Sequence, residues 1–381
     1  MAVPMGDLIA EYESLRNEMD SAIRRVLQRG SFVLGPELEA FEAEFASYCG
    51  VRHAVGVASG TAALMLALRA CDLEPGDEVL TVPNTDTPTT SAISHAGGTI
   101  ALVDTLPRTF TMDPERLEEA VNERTKVILP VHLFGQPADI EAIAATARSR
   151  GAILIEDGAL AVGAEYRGKK IGTFGTMGCF SFAPGKILGG VGAGGMVVTD
   201  DADLDERIRV LRNYGHAPGL SLDPTNLLGG SGFTVLEEGY NERLDEIQAA
   251  VLRAKLPTLD DRIARRRGAA KRYNTLLADI GIEIPPVVEH AESVWFAYNV
   301  MLDNRDEARN HLASRGVATR LYYNPLLHLQ PAYRHLGSGL GSFPNAERSA
   351  SRMMGLPVFP QITDEQVDLA AAAVAEFASS V

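Results

Sequence analysis

Residues 54–70 read AVGVASGTAALMLALRA. The first half is a short apolar run that ends at Ser59-Gly60. The second half, from Thr61, is an unbroken set of strong helix formers. The same strand-then-helix order recurs downstream. DEVLTVPN (77–84) precedes a helix near 90–96, TIALVD (99–104) precedes PERLEEAV, and KVILPVHL (126–133) precedes DIEAIAATARSR, after which comes AILIED (152–157). Such alternation specifies an α/β fold with a mostly parallel sheet covered by helices on both faces. In such sheets ligands gather beyond the carboxyl ends of the strands.

Upstream of this region, residues 7–29 read as one helix, with Leu15, Met19, Ile23, Val26 and Leu27 near one face. A second helix starts in GPELEAFEAEFASYCG (35–50), where Pro36 suits the first turn and Gly50 the stop. After MVVTD (196–200) the pattern changes. LDERIRVLRN reads as a helix, and residues 214–240 form a long connection rich in glycine and proline. A helical region runs from Leu244 to Leu277 with an interruption at Pro257. The remainder reads as a smaller α/β unit. Its expected strands are WFAYNVML (295–302) and ATRLYY (318–323), and its expected helices AERSASRMMG (346–355) and TDEQVDLAAAAVAEFA (363–378). A Thr363/Gln366 capping box opens the last of these. The expected division is an N-terminal helical segment, 1–30, a large domain, 31–255, and a small C-terminal domain, 256–381.

Composition narrows the function. The 381 residues are 46% hydrophobic with a formal net charge of −15 and no lysine/arginine block, which argues against nucleic acid or an anionic membrane as partner. Cys49, Cys71 and Cys179 are scattered, without C-x-x-C spacing, and read as small apolar residues of a reducing compartment. No His/Cys cluster has metal-ligand spacing. The N-terminus has no basic stretch leading an apolar one, and no apolar run reaches the length of a membrane span. A soluble, cytoplasmic protein is expected.

Residues 181–195, SFAPGKILGGVGAGG, hold one charge, Lys186, among small and apolar residues. A phosphate loop would need Ser or Thr after the lysine, and Ile187 stands there. Gly190, Gly192 and Gly195 match G-x-G-x-x-G, but they open a strand rather than a helix, so the dinucleotide reading fails too. Three features converge on another chemistry. The Ser59-Gly60-Thr61 turn is either an anion site at a helix start or simply a good cap. Glu156 and Asp157 end a buried strand at the edge where ligands collect, or are solvated loop acids. Lys186 follows a sharp turn five positions after Ser181, and could equally be a lysine reaching the surface. Pyridoxal phosphate needs a lysine amine for its aldehyde, a carboxylate for its ring nitrogen, and a cradle of amides and hydroxyls for its phosphate. The combination is far more specific than any member.

With these residues in place, the chain resembles the DegT/StrS-type sugar aminotransferases, which are pyridoxal-phosphate-dependent and have the fold type I aminotransferase architecture. The resemblance spans nearly the whole chain. It includes GSFVLGPELEAFEAEFASYCGVRHAVGVASGTAAL, VILPVHLFGQPADI, IEDGA, GTFGTMGCFSFAPGK, GYNERLDEIQAA and PLLHLQPAY. It implies a seven-stranded-type sheet in the large, cofactor-binding domain, Lys186 as the Schiff-base lysine and Asp157 as partner of the ring nitrogen. It further implies Ser59, Gly60, Thr61 and Ser181 around the phosphate. Asn241 matches the residue that reaches the phosphate of the neighbouring subunit, so the resemblance implies a homodimer with active sites at the interface. His328 lies where the family approaches substrate, though a lone loop histidine is often structural. The implied reaction carries an amino group from glutamate or glutamine to a keto-sugar, nucleotide-linked sugar or cyclitol, in antibiotic or polysaccharide biosynthesis.

Two positions depart from the family. PNTDTPTT puts Asp86 where an aromatic residue stacks on the cofactor, and Leu160 replaces a glutamine near the cofactor's phenolic oxygen. Asp86 either binds a cationic or hydroxyl group in the pocket or caps a turn. The altered face leaves two alternatives to plain transamination open: elimination, dehydration or transamination coupled to C–O cleavage on a sugar-like substrate, and a non-catalytic cofactor-binding regulator. Family members that dehydrate sugars carry histidine in place of the lysine, which Lys186 weighs against.

Overall fold

The computed structural model describes residues 2–217, 234–284, 286 and 288–380. The N-terminal helix of the sequence reading is two: α1 (Leu8–Ser14) and α2 (Arg16–Arg29), broken at Leu15. Leu15 and Met19 pack on Val251, and Ala22 and Val26 on Ala250. That stripe has steps of three and four, so Leu27 lies about 100° round the helix from Val26 and is 56% exposed rather than buried. In α3 (Pro36–Cys49), Pro36 sits in the first turn and Gly50 caps the end in the left-handed region at φ 76°.

The large sheet has seven strands: β1 (His53–Val57), β2 (Glu78–Thr81), β3 (Thr99–Leu102), β4 (Thr125–Ile128), β5 (Ile153–Asp157), β6 (Met177–Ser181) and β7 (Gly195–Thr199). Their order is β1-β7-β6-β5-β4-β2-β3. All neighbours are parallel except β7, which is antiparallel to both β1 and β6. The intervening helices are α4 (Gly60–Arg69), α5 (Thr87–His95), α6 (Pro114–Ala120) and α7 (Ile140–Arg150). α5 begins earlier than the sequence suggested, because Asp86 caps it and Pro88 fits its first turn. Alternate residues of the central strands serve opposite cores. Val55, Val197 and Ile155 pack with Leu64, Leu68 and Ile93 on one face, while Ala54, Met196, Val198 and Phe180 meet Phe41 and Phe45 on the other.

Register places the features singled out in the sequence at one end of the sheet. Gly195 pairs with Val57 on one side and Ser181 on the other, and Asp157 pairs with Cys179. The end of β1, the loop bearing Lys186 and the end of β5 therefore lie side by side. β6 and β7 are consecutive and antiparallel, so the lysine-bearing loop is simply the return between them.

After α8 (Ala202–Leu211) the chain reaches α9 (Glu246–Lys255), a 3-10 turn containing Pro257, and α10 (Leu259–Leu277). Most of the long connection at 214–240 lies outside the described residues. Further on, β8 (Tyr298–Met301) pairs antiparallel with β9 (Met353–Leu356), flanked by α11 (Arg305–Ser314), α12 (Pro344–Arg352) and α13 (Asp364–Ala378). The Thr363/Gln366 capping box is present. Two expectations are corrected. AERSASRMMG is helical only to Arg352. From Met353 every side chain is buried, which a strand against Tyr298–Met301 accommodates and an amphipathic helix cannot. ATRLYY is not a strand of the sheet; its one ladder contact is a bridge from Arg320 to Gly355, because MMGL has taken the place beside β8. All three cysteines are free and buried, and burial pushes the Cys49 and Cys71 thiols up to about 12.

Candidate active site

The two acids that end β5 point to opposite faces, as strand alternation requires. Glu156 accepts the backbone N–H groups of Gly172 (2.7 Å), Phe174 (2.6 Å) and Gly175 (2.8 Å). It also faces His132 Nε2 at 3.0 Å. The N–H of Ala138 donates to His132 Nδ1 at 3.1 Å, so the ring proton is on Nε2 and is donated to Glu156. Glu156 is thus fully engaged in holding the 172–175 turn. Asp157 faces a cavity instead. Its Oδ2 accepts from the Thr89 hydroxyl at 2.9 Å and its Oδ1 from the Ala159 N–H at 3.1 Å. Burial raises its pKa above the usual carboxylate range; the Ala159 and Thr89 hydrogen bonds and the charge of Lys186 pull the other way.

At the neighbouring strand end, α4 starts in an anion-ready form. Ser59 caps it, its Oγ accepting the Ala62 N–H at 3.0 Å, and Ala63 N–H donates to Ser59 O at 2.9 Å. The amides of Gly60 and Thr61 have no intrahelical partner by geometry. Gly60 is required here by close approach. A Cβ on it would lie 2.6 Å from Ser181 Cβ and 3.0 Å from its Oγ. Gly195 is similarly constrained, since a Cβ there would lie 2.2 Å from Ser59 O. The two glycines bring the helix start, Ser181 and β7 into contact.

Ser59, Gly60, Thr61, Asp86, Asp157, Leu160, Ser181 and Lys186 all line one cavity of about 280 Å³. Burial lowers the Lys186 pKa; Asp157 and Asp86 push it back up, and Arg320 pushes it down. The amine therefore has a larger neutral fraction near neutral pH than a solvated lysine. Asp86 caps α5, accepting the Thr87 N–H at 2.8 Å, and also lines the cavity. Leu160 is buried in the wall.

Two sequence candidates lie elsewhere. Asn241 is exposed, holds the Arg243 guanidinium and does not line its own chain's cavity. His328 does not line it either: it is buried, 3.1 Å from Glu347 and edge-on to Phe343 at 4.9 Å. Reasoning from sequence missed Thr89 and Thr85, which are hydrogen-bonded to each other at 2.8 Å behind Asp157. It also missed Tyr323, which brings an aromatic ring to the cavity that lacks one at position 86. The threonines were visible in PNTDTPTT once α5 was seen to start at Thr87. Tyr323 comes from a distant segment with no local signal.

The DegT/DnrJ/EryC1/StrS aminotransferase family model matches residues 13–375. The chain belongs to this family. It is an aminotransferase of the DegT/DnrJ/EryC1/StrS group, and it is 44% identical over 380 residues to the dTDP-3-amino-3,4,6-trideoxy-alpha-D-glucose transaminase of Streptomyces venezuelae, covering 100% of this chain and 97% of that protein. The crystal structure of DesV from S. venezuelae matches with a TM-score of 0.94 at 44% identity, over 100% of this chain and 99% of that one. The Bacillus subtilis NtdA structure, described with bound cofactor PMP, matches with a TM-score of 0.87 at 29% identity, over 96% of this chain and 82% of that one. No helix among the described residues is long and apolar enough to cross a membrane.

Proposed function

We propose that this DegT/DnrJ/EryC1/StrS aminotransferase uses pyridoxal phosphate to move an amino group from glutamate or glutamine to the keto group of a sugar, nucleotide-linked sugar or cyclitol. The observation that carries the reading is that Lys186, Asp157, Ser181 and the free amides at the start of α4 line one cavity. When bound, pyridoxal phosphate supplies an aldehyde for the amine and an electron-withdrawing ring. This donor set fits it. The Gly60 and Thr61 amides, with the α4 dipole and the Ser181 hydroxyl, would hold the phosphate. Asp157, unfavourably buried as a lone anion, would gain a cationic partner in the protonated ring nitrogen. Thr89 and Ala159 fix the direction of its carboxylate. Lys186, with its depressed pKa, would supply the attacking amine and then act as the base that moves the proton at the reacting carbon.

The division at residues 30 and 255, a homodimer, and a cytoplasmic setting belong to the same proposal. Asn241 supports the dimer, since an exposed side chain outside its own cavity would reach cofactor only from a second copy. The relative named as a dTDP-sugar transaminase supports the acceptor class. The test is an absorption spectrum of the purified protein with pyridoxal phosphate, before and after glutamate or glutamine. A visible band that either donor converts to the amine form of the cofactor, and a keto-sugar converts back, supports the proposal. A deoxygenated product without donor would turn the reading to elimination. A band that no donor moves would leave a cofactor-binding protein without transfer.

A further inference from the structure

Behind Asp157 stands a chain of two threonine hydroxyls, set by the first turn of α5. Asp86 caps that helix, so Thr85 precedes the cap and Thr89 is the third helical residue. Four positions apart, the two side chains meet across one turn, and their hydroxyl oxygens lie 2.8 Å apart. Thr89 Oγ1 in turn lies 2.9 Å from Asp157 Oδ2. Thr85, Thr89 and Asp157 are all buried. The segment is tied on both sides. Asn84 Nδ2 donates to Phe110 O at 2.8 Å, the Leu327 N–H donates to Pro83 O at 3.0 Å, and the Thr90 and Tyr333 hydroxyls lie 2.7 Å apart. Thr85 and Thr89 are therefore held in register with Asp157 by contacts that none of the three makes.

Each hydroxyl carries one proton, and that fixes the direction of the chain. An ionised Asp157 only accepts, so the Thr89 proton goes to Asp157 Oδ2 and Thr89 Oγ1 is left to accept from Thr85. A helical threonine has an alternative: donation to the carbonyl three or four residues back, here Asp86 or Thr85. A donor on Thr89 Oγ1 polarises its O–H bond and strengthens the hydrogen bond it makes onward. The geometry points to Thr85 as a positioning residue that commits the Thr89 hydroxyl to Asp157 and so keeps that carboxylate ionised and aimed into the cavity. The inference rests on the aminotransferase reading above and extends it to a residue that acts only through another. The other groups around Asp157 do not duplicate the effect. The Ala159 N–H is on Oδ1, and Lys186 and His132 act on the carboxylate electrostatically. Cys179 and Tyr323 also face it, and burial raises both, so they stay neutral. Burial by itself favours the uncharged acid, which could not pair with a protonated ring nitrogen.

Thr85→Val keeps the shape of the side chain and removes its hydroxyl, while Thr85→Ser keeps the hydroxyl. Carbon-13 NMR of cofactor-free protein labelled at the aspartate Cγ, with Asp157 assigned by its absence in Asp157→Asn, reads the protonation midpoint of this one carboxylate. The chain stabilises the anion, so its loss raises the midpoint. Thr85→Val should move it up by about half to one pH unit, roughly a three- to tenfold loss of acidity and the size of one neutral hydrogen bond, and Thr85→Ser should restore it. In protein loaded with pyridoxal phosphate, single-turnover conversion by glutamate should slow by a similar factor in Thr85→Val and recover in Thr85→Ser. A midpoint in Thr85→Val equal to wild type, with or without a lower melting temperature, overturns the inference. Equal displacement in Thr85→Val and Thr85→Ser overturns it too, because the hydroxyl would then not be the cause. Failure of the wider reading looks different: neither glutamate nor glutamine would convert the wild-type protein, and the cofactor-free titration would still decide whether Thr85 acts on Asp157.

Discussion

Replacing Gly60 by alanine tests the construction of the proposed phosphate cradle. The new Cβ would sit 2.6 Å from Ser181 Cβ and 3.2 Å from its Cα. Ordinary carbon contacts begin near 3.5 Å, so roughly 0.9 Å has to be found. Ser181 cannot supply it by changing rotamer, because a Cβ is fixed by its backbone and this backbone is paired in β6 with Gly195. The start of α4 must therefore move away from β6, which opens the distance between the helix amides and Ser181. Overpacking of this kind costs about 1–3 kcal/mol. If that displacement falls on the cradle, cofactor affinity drops roughly ten- to a hundred-fold. Gly268 provides the control. It lies inside α10 with no atom within 4 Å of an added Cβ, so Gly268→Ala should stabilise the protein by about 1 kcal/mol and leave affinity alone. Spectral titration with pyridoxal phosphate and thermal melts measure both. Wild-type affinity in Gly60→Ala would refute the idea that contact between α4 and Ser181 builds the anion site.

Other substitutions follow from the same geometry. Asp157→Asn keeps the shape and the Ala159 hydrogen bond but removes the charge; with a charge-assisted bond at about 1.5–3 kcal/mol, donor conversion should slow ten- to a hundred-fold in single-turnover measurements while cofactor capture persists. The Lys186 amine reacts when neutral, so capture should rise with pH to a midpoint below the ordinary 10.5 of lysine. Asp86 raises that midpoint and Arg320 lowers it. Asp86→Asn should therefore shift the stopped-flow pH profile down, and Arg320→Gln should shift it up, each taken as a ratio to wild type. His328→Asn breaks the bond to Glu347 and should cost about 1–3 kcal/mol of stability; a raised KM for substrate with unchanged melting would contradict its placement outside the cavity.

The order of strands and helices was readable because each strand of the large sheet is a short apolar run closed by turn residues, and α4, α5 and α6 each open with a side-chain cap. The shared edge was readable as well, since parallel strands leave their carboxyl ends together. Lys186, Asp157 and the Ser59–Thr61 turn needed only that. The pieces that were not legible depend on packing between distant segments. Nothing local in ATRLYY says that MMGL will take its place beside Tyr298–Met301, because both runs are apolar enough to form a strand. Leu15 carries no helix breaker, so the break between α1 and α2 has no local mark. His132 and Glu156 find one another only when two strand ends meet, and Tyr323 joins Lys186 in the cavity wall from 137 positions further along the chain. That Asp86 stands in PNTDTPTT and Leu160 in EDGALAVGA was plain in the sequence. The role of Asp86 was not, because one side chain can cap a helix and line a cavity together.

Borohydride reduction of the protein mixed with pyridoxal phosphate, followed by peptide mapping, tests the central claim most directly. The account predicts one stoichiometric adduct on Lys186, lost when glutamate or glutamine is added before the reductant. Adducts spread over exposed lysines with Lys186 unmodified would contradict it.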